Sequence, residues 1–283
     1  TIKFTHKFLD YYFNNYKSMS IVKWVDGKSK ILNKFIDEIP DNGNIYYEPF
    51  VDSASVLIKV LETKKYNHYI VGDINRPLIC VYGMIKTNVN ELLNKLEEIT
   101  LNYENSDDKE EFYYSIRQSF NKKITHIIKD NDFLIDMSSE FIFLNKTYFR
   151  GLYRVNKSGE FNVPYGNYKK PCIYDKDEIL KLHKLFQNVE FKNKDYKKLL
   201  RDVKSNDFIY FDPPYINTFD SYSVENFDSV KFANYVNNIS CKCLISNSED
   251  FSEYLSEKFT IKTIQIQDKI NSKSPGSVRY EII

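Results

Sequence analysis

Cysteine is sparse in this sequence, with four residues in 283, and their placement excludes more than their number does. Cys80, Cys172, Cys241 and Cys243 form no Cys-x-x-Cys pair with a matching histidine pair, so neither a zinc site nor a disulfide scaffold is expected. His6, His68, His126 and His183 are scattered without metal-ligand spacing, and no metal is expected. An excess of one charge sign is missing too. The 40 Lys and Arg balance 39 Asp and Glu to a net +1, so no global field draws the chain to nucleic acid, and a DNA partner would need a local basic surface. Long apolar runs are absent: none approaches the roughly 20 residues that span a bilayer. The first residues, interrupted by Lys, Asp and Asn, lack a signal-peptide layout. A soluble, intracellular protein with no membrane partner is the expectation. Glycine is scarce as well, 8 residues against 23 Tyr and 21 Phe, a bias that by itself points to no function.

What is present is an ordinary globular composition, 42% hydrophobic and 28% charged, in a chain long enough for one large domain or two interlocked ones. Aromatic and β-branched residues over 44–50, after the turn at Asp41-Asn-Gly43, predict a strand. Val56, Leu57, Val60 and Leu61 predict a helix over 54–63, and 68–72 predicts a second strand ending at Asp73. Strand, helix and strand closing on an acid is the βαβ pattern of an open α/β sheet.

From 77 to about 149 the pattern is mostly helical, broken by a polar loop around Asn105-Ser-Asp-Asp108. A turn-rich stretch follows over 151–171, in which Asn156-Lys-Ser-Gly159 predicts a hairpin turn. Strands return over 188–192, 207–211, 243–246, 259–264 and 278–283, with helices starting near Asp228 and Asp250. The basic run 192–204 predicts an exposed helix face. The expected fold is therefore α/β: an open, doubly wound sheet in 1–76 and 172–283, with a helical and β-hairpin module inserted at 77–171. No internal repeat interrupts this organisation.

Asp212-Pro-Pro-Tyr215 follows the strand at 207–211, where ligands of open α/β sheets bind. The two prolines remove two N–H donors and leave carbonyls free to accept. A carboxylate and a proline carbonyl can together hold both hydrogens of an amino group and orient its lone pair, while Tyr215 can stack on a ring. A proline-rich turn is the plainer reading of four such residues alone.

Taken in order, Lys23-Trp24 with Gly27-Lys28, Tyr47-Glu-Pro-Phe50, Asp73-Ile-Asn75 and Asp212-Pro-Pro-Tyr215 resemble the Dam-family adenine-N6 DNA methyltransferases. The stretch from Leu144 to Pro171 is similar to that family's recognition hairpin, and Phe219, Tyr222, Phe227 and Ile245-Ser-Asn247 fit as well. The resemblance implies the S-adenosylmethionine-dependent methyltransferase fold and methyl transfer from S-adenosylmethionine to an adenine flipped out of double-stranded DNA. It implies Asp212, Pro213, Pro214 and Tyr215 as catalytic residues. Trp24, Lys28, Glu48, Pro49, Phe50, Asp73 and Ile74 would bind the donor, and Lys146, Phe149, Arg150, Arg154, Asn156, Lys157 and Pro164 would bind DNA. Six basic residues, Lys146, Arg150, Arg154, Lys157, Lys169 and Lys170, stand against Glu160 there, interleaved with Tyr148, Phe149, Tyr153 and Phe161.

The sequence departs from the family in two donor loops. Where glycines normally allow positive φ and close backbone approach, this chain has Val51-Asp-Ser-Ala-Ser55 and Asp26-Gly27. Asp26 and Asp52 would bring negative charge toward the donor's own carboxylate, so weakened donor binding is expected. Two readings follow: an active adenine methyltransferase, or a degenerate member acting as a DNA-binding or structural partner subunit. Arg150 replaces an asparagine usual in relatives specific for GATC, so a different target sequence is expected.

Overall fold

In the computed structural model the described residues are 21–24, 28, 31–128, 130–149, 153–215, 227–267 and 278–282. After two short 3-10 turns, the chain enters β1 (Asn42–Glu48), α1 (Ser55–Thr63) and β2 (Lys65–Asp73). Then come four helices: α2 (Arg76–Thr87), α3 (Val89–Asn105), α4 (Lys109–Ile124) and α5 (Asn131–Thr147). After the hairpin region follow α6 (Lys176–Leu185), β3 (Val189–Asn193), α7 (Tyr196–Leu199), β4 (Phe208–Phe211), α8 (Ser229–Asn237) and β5 (Lys242–Ile245). The chain ends in β6 (Asn247–Ser248), β7 (Thr263–Gln267) and β8 (Val278–Ile282).

Aspartate and asparagine set many of the helix starts. Asp108 accepts from the amides of Glu110 and Glu111, and Asp130, Asp175, Asp195 and Asp228 cap α5, α6, α7 and α8 in the same way. Asn75 caps α2, whose Pro77 sits in the first turn where no N–H is needed.

The main sheet has the order β3-β2-β1-β4-β5, and each neighbouring pair is parallel. Chain order runs outward in both directions from the β1–β4 junction, which is the topological switch point of a doubly wound sheet. Alternation along the strands divides the core in two. Tyr46, Phe208 and Tyr210 face a large cluster with α1 to α6, while Tyr47, Ile209 and Phe211 face a smaller one with Leu199, Phe232 and Val236. Both faces are therefore covered, as a parallel sheet requires. At the start of β4, Asp207 accepts from Asn44 Nδ2 at 2.7 Å and from the amides of Ile45 and Lys204, which fixes β4 against β1.

Gly72 shows how closely β2 and β3 are packed. A methyl group there would meet the Lys192 carbonyl at 2.8 Å and Leu199 Cδ1 at 3.1 Å. Gly72→Ala is expected to cost about 1–3 kcal/mol through overpacking. The change should appear as a lower urea midpoint with an unchanged m-value; an unchanged midpoint would mean that β3 yields freely.

Several expectations need correction. Residues 259–264 were expected to form a strand, but the strand is β7, four residues later; it pairs with β8, and β6, β8 and β7 form a separate antiparallel sheet. The helix expected from Asp250 is a 3-10 segment, Glu249–Tyr254. The basic run 192–204 is the end of β3 followed by the single-turn α7, not a helix face. Helix α2 packs on β3 as well as on α5 and α6, and one core cluster contains both Val71 and Phe143. Among the described residues, no helix is long and apolar enough to cross a membrane.

Candidate active site

β2, β1 and β4 lie side by side and bring three acids to one edge of the sheet. Glu48 ends β1, Asp73 ends β2, and Asp212 directly follows β4. This edge flanks the switch point, where ligands of open sheets bind.

Glu48 is buried, and its carboxyl is held by hydrogen bonds. Tyr46 Oη donates to Oε2 at 2.8 Å, and the Leu57 amide in the first turn of α1 also binds the carboxyl. Burial drives its pKa well above the usual carboxylate range, against the lowering by Tyr46. Pro49 is buried, and Phe50 turns toward the smaller core cluster. The ring centroid of Phe50 lies 5.7 Å from Tyr196 and 5.8 Å from both Phe227 and Phe232.

The next loop keeps a glycine-like path without glycine. Asp52 has φ 43° and Ala54 has φ 59°, both left-handed. The path is held by Val51 N donating to the Gly72 carbonyl at 3.0 Å, by Ala54 N donating to the Val51 carbonyl at 2.7 Å, and by Tyr82 Oη donating to the Asp52 carbonyl. Asp73 is bound from the same side: its Oδ1 accepts from Asn75 N at 2.8 Å and its Oδ2 from Asp52 N at 3.4 Å. Ile74 beside it is 55% exposed.

The Asp52 carboxyl faces these acids. Burial, then Asp73, then Asp212 push its pKa well above the usual aspartate value, while Lys28 and a hydrogen bond from the Trp24 side chain pull it back. Trp24 stacks on Tyr153, with centroids 6.0 Å apart and planes 17° apart.

Lys28 carries the balancing charge. Its side chain is nearly buried, with Nζ 2.6 Å from Asp212 Oδ1; the ammonium also donates to Tyr215 Oη at 2.6 Å and lies 4.7 Å from that ring's centroid. The resemblance assigns Lys28 to the donor, whereas this geometry sets its charge on the Asp-Pro-Pro-Tyr motif. Pro213 is buried, while Asp212, Pro214 and Tyr215 are partly exposed. Asp26, Arg150 and the loop 217–223, with Phe219 and Tyr222, lie outside the described residues.

Sequence reasoning missed Asn145, Tyr82 and the Tyr153 partnership. Asn145, fully buried in α5, grips the Lys23 backbone at both ends: Oδ1 accepts from Lys23 N at 2.6 Å and Nδ2 donates to Lys23 O at 2.9 Å. An asparagine closing the apolar run Phe141-Ile-Phe-Leu144 was the available signal.

The hairpin is amphipathic. Tyr153, Phe161 and Val163 are buried inward, while Arg154, Lys157 and Pro164 are exposed outward and Phe149 is 45% exposed. Arg154 Nε donates to Asn162 Oδ1 at 2.8 Å. Asn156 is occupied by the turn itself: Oδ1 accepts from the amides of Ser158 and Glu160, and Nδ2 donates to Glu160 Oε2. Gly159, at φ 78°, completes the turn. Lys146 lies partly buried in the last turn of α5, its carbonyl accepting from Lys23 Nζ at 3.2 Å.

Residues 24–270 match the family model described as D12 class N6 adenine-specific DNA methyltransferase. The type II methyltransferase M.MjaIII of Methanocaldococcus jannaschii is 36% identical over 272 residues, covering 89% of this chain and 92% of that protein. Type II methyltransferase M1.LlaDCHI of Lactococcus lactis subsp. cremoris is 30% identical, covering 89% of each. The DNA adenine methylase of Escherichia coli K12 is 31% identical, covering 70% of this chain and 66% of that protein. With the doubly wound sheet and the Asp-Pro-Pro-Tyr motif at its switch point, this coverage makes the chain a member of the D12 class of N6 adenine-specific DNA methyltransferases.

Proposed function

We propose that this enzyme methylates the exocyclic nitrogen of an adenine flipped out of double-stranded DNA, at a specific sequence, with S-adenosylmethionine as donor. The observation that carries the reading is the Lys28 contact: a nitrogen bearing N–H groups already sits on the Asp212 carboxylate at the end of β4. An adenine amino group presents the same kind of donor. Asp212 and the Pro213 carbonyl would hold it and orient its lone pair, with Tyr215 stacked on the base. That amino group is unreachable inside the duplex, so the base must leave the stack. Lys28 sits on Oδ1, so the base either takes the other carboxylate oxygen or displaces the ammonium as it enters. Displacement would also remove a cation that opposes the positive charge growing on the amine. The Asp212 carboxylate balances that charge, and fixed orientation lowers the barrier further.

A bound donor supplies an electrophilic methyl group on a sulfonium. The residues around Asp73 fit it: a nearly buried carboxylate to accept from ribose hydroxyls, and the exposed apolar Ile74 beside it. Trp24, close to Asp52 and stacked on Tyr153, would wall the same crevice. Asp52 is the exception, since its carboxyl must share that crevice with the donor's own carboxylate. Incubation with plasmid DNA and labelled donor, followed by nucleoside mass spectrometry, is expected to yield N6-methyladenine. Methylcytosine, or no methylated base at all, would overturn the reading. The intact Asp-Pro-Pro-Tyr motif favours the enzyme over a partner subunit without chemistry.

The outward face of the hairpin would meet DNA, with α3 to α5 as its base and α2 shared with the sheet. Arg154→Ala is expected to weaken binding by about 1–3 kcal/mol and relax preference at one base position. Lys157→Ala should weaken binding evenly across sequences and reduce the salt slope by about one. Gel-shift titrations at two salt concentrations separate these outcomes. If neither variant changes affinity, this face does not bind DNA.

A further inference from the structure

The hairpin's second arm has two edges, and they are satisfied differently. On one edge it pairs with backbone: Asn162 N donates to the Arg154 carbonyl at 3.2 Å, Asn156 N donates to the Glu160 carbonyl at 2.8 Å, and Phe149 N donates to the Pro164 carbonyl at 3.0 Å. The other edge turns its backbone groups toward α4, where a sheet would supply another strand. Unpaired, these groups would be costly, because Phe161 and Val163 are buried.

Helix α4 fills that role with side chains. Tyr113, Arg117 and Asn121 stand four residues apart, one above another on a single helix face. Tyr113 Oη donates to the Val163 carbonyl at 2.8 Å, and Arg117 Nη1 donates to the same oxygen at 3.1 Å. Asn121 imitates a strand residue: Nδ2 donates to the Phe161 carbonyl at 3.0 Å, and Oδ1 accepts from Phe161 N at 2.9 Å. The next residue, Asn162, holds Arg154 Nε at 2.8 Å on the outward face. The chain of contacts runs from Asn121 through the Phe161 backbone to Asn162 and Arg154.

We infer that Tyr113, Arg117 and Asn121 form a positioning ladder that sets the hairpin's register and through it the aim of Arg154, with Asn121 the positioning residue for target-sequence discrimination. This rests on the hairpin being the DNA reader. A hydroxyl or guanidinium can follow a shifted carbonyl. The paired donor and acceptor of one short amide cannot, so Asn121 alone fixes the register in both directions.

The test uses the full chain with plasmid DNA and S-adenosylmethionine. Sequencing of methylated sites first identifies the preferred site, and duplexes with that site or a single-base change then give a rate ratio. Asn121→Ala is expected to lower this ratio about tenfold or more, the scale of one misread base pair. Turnover at the preferred site should stay within about threefold, and hydrogen exchange should quicken at the Phe161 amide. Asn121→Asp keeps the acceptor but sets an anion against the Phe161 carbonyl, and should behave like the alanine variant. An unchanged ratio, or equal rate losses on all duplexes, overturns the ladder, because a merely structural role lowers every rate together. Arg154→Ala separates the two layers. If it leaves the ratio unchanged, the hairpin reading itself fails. If it collapses the ratio while Asn121→Ala does not, only the ladder fails. Should Asn121→Ala not fold, Asn121→Ser, which keeps a small polar group but not the paired donor and acceptor, carries the same expectation with a smaller shift, and an unchanged ratio there counts equally against it.

Discussion

Asp212→Asn is expected to lower methyl transfer about 10²–10³-fold, the scale of losing one electrostatic contact to the developing charge, while the fold and DNA binding survive. The choice of asparagine follows from Lys28. Its ammonium is nearly buried and has Asp212 as its charged partner at 2.6 Å. Asp212→Ala would remove both the charge and the hydrogen-bond acceptor that face that cation and cost about 3–5 kcal/mol of stability besides the activity. From the motif alone, Asp212→Ala would be expected to spare the fold, because the lysine partner is not visible there. Asparagine keeps an acceptor for Lys28 and for the amine but removes the negative charge. Single-turnover rates with saturating donor, read beside thermal unfolding, separate the two effects. An asparagine variant with turnover near that of the parent would sink the assignment of Asp212. An alanine variant as stable as the parent would show that the Lys28 pair contributes no stability.

The second large effect is expected at Asp52. Asp52→Gly should tighten S-adenosylmethionine binding about 10–100-fold, because it removes a partly buried like charge worth roughly 1–3 kcal/mol. It also returns a left-handed position to the residue that adopts it without strain. Asp26→Gly is expected to act in the same direction on sequence grounds. The pH dependence has a definite sign. Burial and the neighbouring Asp73 and Asp212 raise the pKa of Asp52, so lowering the pH through that raised value neutralises it. Donor affinity in the parent should therefore rise as pH falls, and Asp52→Asn should flatten the profile. Stability moves the same way. Above the unfolded-state pKa of about 3.9, the unfolded chain releases this proton while the folded chain keeps it. Stability is then lost as pH rises from that value toward the folded pKa. Glu48, also raised by burial, adds a slope of the same sign that persists in the variant. Calorimetric titration of parent and variants below and above neutrality reads the donor effect directly. Tight, pH-independent binding by the parent, with no gain from glycine, would show that Asp52 does not oppose the donor.

Local rules made much of this protein legible from its sequence. β1, β2 and β4 were recognisable because aromatic and β-branched runs ended in turns or acids. The hairpin turn at 156–159 was recognisable because Asn and Gly are the residues its backbone demands. The Asp-Pro-Pro-Tyr motif fell at a strand end, as the chemistry needs. Residues 259–264 misled because Phe259, Thr260 and Ile261 suit a strand, yet pairing with β8 begins only at Thr263. The run 192–204 misled because its lysines say nothing about where Asp195 caps a helix or how soon that helix stops.

Other features depend on which distant segments meet, and that was decided by the order of strands in the sheet. Glu48 stays buried because α1 starts over the end of β1 and offers it an amide. Asp52 meets Asp73 because β1 and β2 are neighbours in that sheet, and Lys28, on the segment before β1, reaches Asp212 at the end of β4. Asn121 and Phe161 form a strand-like pair only because α4 lies along the hairpin's free edge. Sequence determined the elements, their caps and the Asp-Pro-Pro-Tyr motif, since periodicity, capping and turn chemistry act within a few residues. The tertiary structure decided which charges face each other and which backbone groups are satisfied by side chains, since burial and Coulomb energy depend on spatial neighbours.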